Sequence, residues 1–235
     1  MAKDFNYDVI VIGGGHAGCE AAHASARIGA KTCLITHSIS TIGLMSCNPA
    51  FGGVGKGHLV REIDALDGLM GRIADDSAIQ YRELNKSRGA AVRGPRVQAD
   101  RDLYKYSMQE VMLHEDNIFI YESSVIDLLY SNKSVNGVVL KDFSEIYSKT
   151  VVLTTGTFLG GIIHRGNHIT KGGRIGEKAE TGLSKSLKEK GFNVSRLKTG
   201  TPPRIFKDSI NWDILDKQYG DKNPKFMSFA TKSVK

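Results

Sequence analysis

The sequence predicts an α/β fold, a parallel sheet carrying an antiparallel β-meander, and three observations carry that prediction. A short β-branched run, Tyr7–Ile12, leads directly into Gly13-Gly14-Gly15-His16-Ala17-Gly18 and then into an alanine-rich helical stretch. A second apolar run, 31–36 (KTCLIT), closes a β-α-β unit, whose two strands are parallel because a helix crosses over between them. Beyond residue 117 the pattern becomes short strands separated by turn residues, and a last apolar run, 150–155 (TVVLTT), ends in Gly156.

Each element has its own signal. Tyr7–Ile12 shows no polar alternation, as expected of a strand covered on both faces. Residues 19–28 read as a helix that Gly29 stops, and 31–36 as a second buried strand. The stretch 38–57 is a long glycine-rich loop containing Cys47-Asn48-Pro49, and loops of that length inside a compact domain are usually functional. Leu59, Ile63 and Leu66 predict a helix over 58–66, and a second helix is expected over 69–84. The basic, glycine-broken stretch 85–96 reads as loop, and 100–114 as an amphipathic helix. Runs at 118–121, 124–130, 135–141 and 145–149 read as strands, with breaks at 131–133 and 142–144, and 150–155 as a separate return strand.

A β-α-β start, a three-stranded antiparallel β-meander and a return strand ending in glycine form the arrangement of FAD-binding Rossmann-like domains of the glutathione-reductase type. Pro202, Pro203 and the loss of periodicity after Gly200 place a boundary there. Residues 1–199 are therefore expected to be an incomplete FAD-binding domain, and 200–235 the start of a second, inserted domain.

With 40% hydrophobic and 24% charged residues in 235, the composition is that of a globular protein. It excludes a disordered tail, a collagen-like chain and a disulfide miniprotein. Glycine is in excess, 26 residues or about 11% against a usual level of roughly 7%, which suits a backbone approached closely by a ligand. Cys19, Cys33 and Cys47 have no paired spacing, so neither a disulfide framework nor a zinc site is expected, and a reduced, cytoplasmic setting is. No run approaches the roughly 20 apolar residues of a membrane span, and no membrane partner is expected. The formal charge of +7 is uneven: residues 82–106 carry seven basic and three acidic side chains, and 164–207 carry eleven and three. Such concentration is the footprint of a polyanion partner, unless lysines such as Lys185, Lys188 and Lys190 merely solvate a helix face.

Gly13, Gly15 and Gly18 make G-x-G-x-x-G between strand and helix, the context that dinucleotide binding requires. The first glycine makes the turn, the second admits a pyrophosphate to the backbone, and the third lets helix and strand pack. An acidic residue is expected at the end of the second strand to hold ribose hydroxyls, but that position reads Thr36-His37-Ser38. Cys47 is the one cysteine in a loop and is the candidate nucleophile or redox thiol, with a structural role as the alternative. No second cysteine follows within 48–57, which argues against a flavin disulfide reductase. His16 is expected to serve the phosphate loop through its backbone and His23 to lie on a helix surface. The remaining histidines show no zinc spacing, so no metal site is expected.

The stretch 46–57 (SCNPAFGGVGKG) running into 58–66 (HLVREIDAL) resembles the GidA/MnmG family of tRNA uridine 5-carboxymethylaminomethyl modification enzymes. The blocks GGGHAGCEAA, RGPRVQADR, VVLTTGTFL and LKTGTPPR resemble the same family in the same order, so the likeness covers essentially the whole chain. It implies an FAD-dependent enzyme that acts with the GTPase MnmE on the wobble uridine of tRNA. Methylenetetrahydrofolate is implied as one-carbon donor, NADH as reductant, and a homodimer as the full-length form. Gly13, Gly14, Gly15, His16, Ala17 and Gly18 would carry the FAD pyrophosphate. Val125 would meet the adenine through its backbone, and Thr155, Gly156 and Thr157 would close the adenine side. Cys47 matches a family cysteine that acts beside the flavin, and the basic regions suit a tRNA surface. At Glu177-Lys178-Ala179-Glu180 the chain departs from the proline- and serine-containing stretch usual in the family. The family protein is also much longer, so the chain is expected to be an N-terminal fragment, inactive alone. Two other readings remain: a flavoprotein oxidoreductase acting on a small molecule, and a binding module without turnover.

Overall fold

The computed structural model describes residues 6–177, 182–200 and 202–234. In chain order the elements are β1 (Tyr7–Ile12), α1 (His16–Arg27), β2 (Thr32–Thr36), β3 (Ala50–Gly52), α2 (Lys56–Ala65), α3 (Met70–Asp76), β4 (Ala78–Leu84), β5 (Gly94–Ala99) and α4 (Arg101–His114). They continue with β6 (Ile118–Glu122), β7 (Val125–Ser131), β8 (Ser134–Leu140), β9 (Glu145–Leu153), β10 (Ile162–Arg165), β11 (His168–Lys171) and α5 (Gly182–Glu189). Short 3-10 turns lie at 39–41, 90–92, 156–158, 207–209 and 212–214.

The chain divides into two compact units, residues 1–44 with 104–195, and residues 45–103 with 196–235. The division differs from the single cut after residue 199 that the prolines suggest, because residues 45–103 and 196–235 pack with each other.

The first unit is built on a six-stranded sheet of order β6-β2-β1-β9-β8-β7. β6, β2, β1 and β9 are parallel, and β9, β8 and β7 form the antiparallel meander. The break expected between residues 149 and 150 does not exist, since β9 is one strand that serves both parts. Gly137 and Val139 of β8 face Tyr147 and Glu145, while Val9 and Ile12 of β1 face Thr150 and Leu153. The polar residues at this point of β9 are satisfied by β1 and by the strand's own backbone. Lys149 Nζ reaches Asp8 at 2.6 Å, and the hydroxyls of Ser148 and Thr150 donate to backbone carbonyls at 2.9 and 3.0 Å.

One face of this sheet holds a core of Ile10, Ile12, Cys33, Ile35, Val138 and Leu140, closed by Leu183 and Leu187 of α5. Val11 and Leu34, also fully buried, point to the opposite face, as alternation along a strand requires. Helix α1 packs on β1 and β2 through the i, i+3, i+4 stripe of Cys19, Ala22, His23 and Ala26. His23 is thus a buried residue of that stripe, not a surface one. Helix α5 is pinned to β7 by Lys190, whose ammonium donates to Asp127 at 2.8 Å and lies 4.9 Å from the Tyr130 ring centroid. Ser186 also donates to Asp127. Burial works to raise the Asp127 pKa, but these donors outweigh it and hold the carboxyl below its usual range. Lys190 is therefore a fastening and not merely a solvated lysine. The β10–β11 hairpin had no periodic signal and is almost wholly exposed.

The second unit carries a three-stranded antiparallel sheet of order β3-β5-β4 with α2 and α3. The helix expected over 69–84 is here two elements. Helix α3 ends where Ser77 Oγ turns back to the Ile73 carbonyl at 2.7 Å, and β4 then pairs with β5. Strand β5 takes up part of the stretch that reads as loop, so the strand character of β4 depends on a partner with no local signal of its own. Asp75, 1% exposed, fastens the end of the chain to this unit. Its carboxylate accepts the N–H groups of Met227 (2.7 Å) and Ser228 (2.8 Å) and the hydroxyls of Thr231 (2.8 Å) and Tyr81 (3.0 Å). Asp64 accepts the Phe229 N–H at 2.8 Å, and the Arg61 guanidinium lies 4.4 Å from the Phe229 ring centroid. Among the described residues no helix is long and apolar enough to cross a membrane.

Candidate nucleotide-binding site

The first unit builds its site at the carboxyl edge of the parallel strands, where open α/β sheets take ligands. Gly13 follows β1 with φ of +111°, and its N–H donates to Ile35 O at 2.8 Å. A Cβ at Gly13 would lie 2.7 Å from Thr154 O, and one at Gly18 would lie 1.7 Å from Gly13 O. Both positions therefore admit only glycine, because strand, loop and helix backbones touch there. Gly15 differs: a Cβ built on it meets nothing within 4 Å. That open side, at the N-terminus of α1, is where a pyrophosphate could approach the backbone, and Gly15 caps the helix without a side-chain bond. The loop thus fits the dinucleotide that its motif implies.

The other expected residues fall on the same edge. Thr154 Oγ1 donates to Ile12 O at 2.8 Å and Gly13 O at 3.1 Å, so Thr155, Gly156 and Thr157 leave β9 beside the phosphate loop. Thr157 Oγ1 fixes the following segment by donating to Gly173 O at 2.8 Å. Val125 opens β7 directly after β6 and is buried, 3% exposed. His16 opens α1, and its ring also has a side-chain contact: Nδ1 is 3.4 Å from the buried Tyr104 hydroxyl, with the rings edge to face at 5.4 Å. Lys178, Ala179 and Glu180 lie outside the described residues.

Several residues that shape the site carry no local sequence signal. Tyr104 and Gln109 come from α4, and Gln109 Nε2 donates to the carbonyls of Ser40 (3.0 Å) and Ile42 (3.3 Å) in the turn after β2. That turn is tied to the phosphate loop by Gly43 N–H donating to Gly14 O at 3.0 Å. Beside it lies an open depression of about 530 Å³ lined by His37, Glu122, Ser123, Ser124, Lys141 and Asp142.

The three cysteines separate by environment. Cys19 and Cys33 are buried, and burial pushes both thiols up to about 12, which leaves them inert at neutral pH. Cys47 is exposed and belongs to the second unit, ahead of β3. Titration of the native protein with a disulfide reagent at pH 8 is expected to modify one thiol rapidly, mapped to Cys47, and three after denaturation. Rapid modification at Cys19 or Cys33 would contradict their burial. Part of the concentrated positive charge is neutralised locally, by Lys86 with Asp221, Lys190 with Asp127 and Arg174 with Glu177 at 2.7–2.8 Å.

Three comparisons place these features among known proteins. The family described as glucose inhibited division protein A matches residues 8–235. The tRNA uridine 5-carboxymethylaminomethyl modification enzyme MnmG of Granulibacter bethesdensis is 55% identical over 93% of this chain and 35% of its own length. The mitochondrial 5-taurinomethyluridine-[tRNA] synthase subunit MTO1 of Macaca fascicularis is 52% identical over 97% of this chain and 34% of its own length. Among solved structures, Aquifex aeolicus GidA superposes with a TM-score of 0.92 at 46% identity, covering 97% of this chain and 38% of that one. A GidA-related protein from Thermus thermophilus, at 19% identity and a TM-score of 0.56, covers 80% of this chain and 69% of its own, and shares the fold. The chain spans about a third of the length of the curated relatives it matches.

Proposed function

The chain belongs to the glucose-inhibited division protein A family, and from that membership we propose that it supplies the FAD-binding portion of an enzyme that modifies C5 of the wobble uridine in tRNA. The observation that carries the reading is identity above 50%, across both units, to two relatives named as tRNA uridine modification enzymes. A flavoprotein acting on a small molecule would account for the first unit alone. It leaves the 46–57 block and the basic segments without a purpose, and is not favoured.

In this reading the backbone of Gly13, Gly14, Gly15, His16, Ala17 and Gly18 holds the FAD pyrophosphate at the N-terminus of α1. The Val125 backbone meets the adenine, and Thr155, Gly156 and Thr157 close that side. Bound FAD would supply the redox chemistry. Cys47, as the exposed thiol, is assigned as the nucleophile, and the basic segments 82–106 and 164–207 as contacts for tRNA phosphates. The full-length enzyme is proposed to act as a cytoplasmic homodimer with the GTPase MnmE, taking its one-carbon unit from methylenetetrahydrofolate and reducing equivalents from NADH.

Two measurements test the proposal. Purified protein mixed with FAD and desalted is expected to retain a flavin absorption spectrum; a colourless protein would remove the cofactor assignment from this chain. In cells carrying the full-length protein, Cys47→Ser is expected to eliminate the modified wobble uridine from bulk tRNA, read by mass spectrometry. Unchanged modification would take Cys47 out of the chemistry.

A further inference from the structure

We infer that Glu122 holds the ribose hydroxyls of the adenosine of the bound dinucleotide, supplying from β6 the carboxylate that β2 lacks. The inference rests on the FAD assignment above and names the residue that completes the same site.

In the usual fingerprint an acidic side chain ends the second strand and accepts hydrogen bonds from the ribose. Here that position is Thr36, and the structure gives a steric reason for a small side chain. Thr36 is 6% exposed, and its Oγ1 lies 2.8 Å from where a Gly14 Cβ would stand, so β2 presses directly against the phosphate loop. The register of the neighbouring parallel strand places Glu122 opposite Thr36. Paired residues on adjacent strands project to the same face, and the strands are about 4.8 Å apart, so a longer side chain on β6 can serve the position that β2 leaves open.

The carboxylate is turned toward that position. Glu122 Oε2 accepts the Ile39 N–H at 2.7 Å, which directs the group over the end of β2 and into the turn that follows it. The same turn is held by Gln109 and, through Gly43 and Gly14, by the phosphate loop, so Glu122 shares one rigid frame with the pyrophosphate site. Glu122 also lines the 530 Å³ depression with His37, Ser123, Ser124, Lys141 and Asp142. That volume lies within the range of roughly 300–1,000 Å³ typical of small-molecule sites. Its far rim is fixed by Lys141 N–H donating to Ser124 O at 2.9 Å, one residue before Val125. A carboxylate only accepts hydrogen bonds, which matches the two donors of a ribose diol and opposes a 2′-phosphate.

The competing role is purely structural, with Glu122 doing no more than pinning Ile39. Affinity for FAD, and for an FAD analogue whose adenosine ribose lacks both hydroxyls, separates the two when followed by flavin fluorescence in wild type and Glu122→Gln. The wild type is expected to bind the analogue about tenfold more weakly than FAD, in line with loss of hydrogen bonds to a charged acceptor. Glu122→Gln should lose a similar factor for FAD and bind the analogue as the wild type does. Equal losses for both ligands, or no loss for either, would overturn the role of Glu122. The wild-type comparison needs no variant, so it holds even if Glu122→Gln folds poorly. If the wild type binds FAD tightly but does not distinguish the analogue, only this inference fails. If it binds neither ligand, the FAD assignment fails and takes this inference with it.

Discussion

Gly18→Ala is expected to weaken FAD binding severely and to destabilise the first unit, because its methyl carbon would stand 1.7 Å from Gly13 O. The obstructing atom is backbone and cannot rotate away. It belongs to a residue whose own N–H is bonded to Ile35 O at 2.8 Å and whose carbonyl accepts from Thr154 at 3.1 Å. Relief requires α1 to move off β1, at a cost of about 1–3 kcal/mol or more by the usual measure of overpacking. The N–H groups at the start of the helix would move with it, and a loss of about 3 kcal/mol in binding is roughly a hundredfold in affinity. Gly15→Ala is the matched control, since its methyl meets no protein atom within 4 Å and its φ of −77° suits any residue. It should leave the melting temperature unchanged while weakening FAD binding, because the added carbon occupies the ligand's space. A Gly18→Ala protein that melts and binds FAD like the wild type would show that the close approach does not exist in solution.

Asp75→Ala is expected to cost about 3–4 kcal/mol and to release the end of the chain from the second unit, because four donors lose one shared charged acceptor. Those donors come from Met227, Ser228, Thr231 and Tyr81. Hydrogen bonds to a charged group contribute about 1.5–3 kcal/mol each and do not add independently, so the total falls below their sum. Burial and the nearby carboxylate push the Tyr81 phenol up, so it remains a neutral donor at any ordinary pH. Removing the acceptor leaves buried N–H groups unpaired, which is the expensive outcome. Asp75→Asn keeps one acceptor but turns an amide N–H₂ toward other donors, and should fall between wild type and alanine. Denaturant melting would measure the loss, and limited proteolysis should find new cleavage near residues 226–231. An unchanged proteolytic pattern with full stability would mean that Met227 and its neighbours are held by packing alone.

Local chemistry made much of the first unit legible. The G-x-G-x-x-G loop lies between a strand and a helix because those three glycines are steric requirements of one turn, and the requirement is written within six residues. β1, β2 and α4 announced themselves through uninterrupted apolar runs or helical periodicity. The runs 145–149 and 150–155 read as two strands, and only the pairing of the first with β8 and of the second with β1 shows that they are one. Strand β4 continued the helical pattern of α3 until β5 gave it a partner. His23 looked like a surface residue because a lone imidazole in an alanine-rich helix carries no sign of which face it occupies.

What the sequence by itself determined is the phosphate loop, the parallel core around it, the exposed loop with Cys47 and the family to which the chain belongs. Each is encoded by contiguous residues whose sterics or periodicity act over one or two turns. Only the tertiary structure decided that β9 completes both the meander and the parallel sheet, that residues 45–103 pack with 196–235, and that Glu122 faces Thr36 across the strands. Those outcomes depend on register and on side chains many residues apart in the chain, for which no local pattern exists to be read.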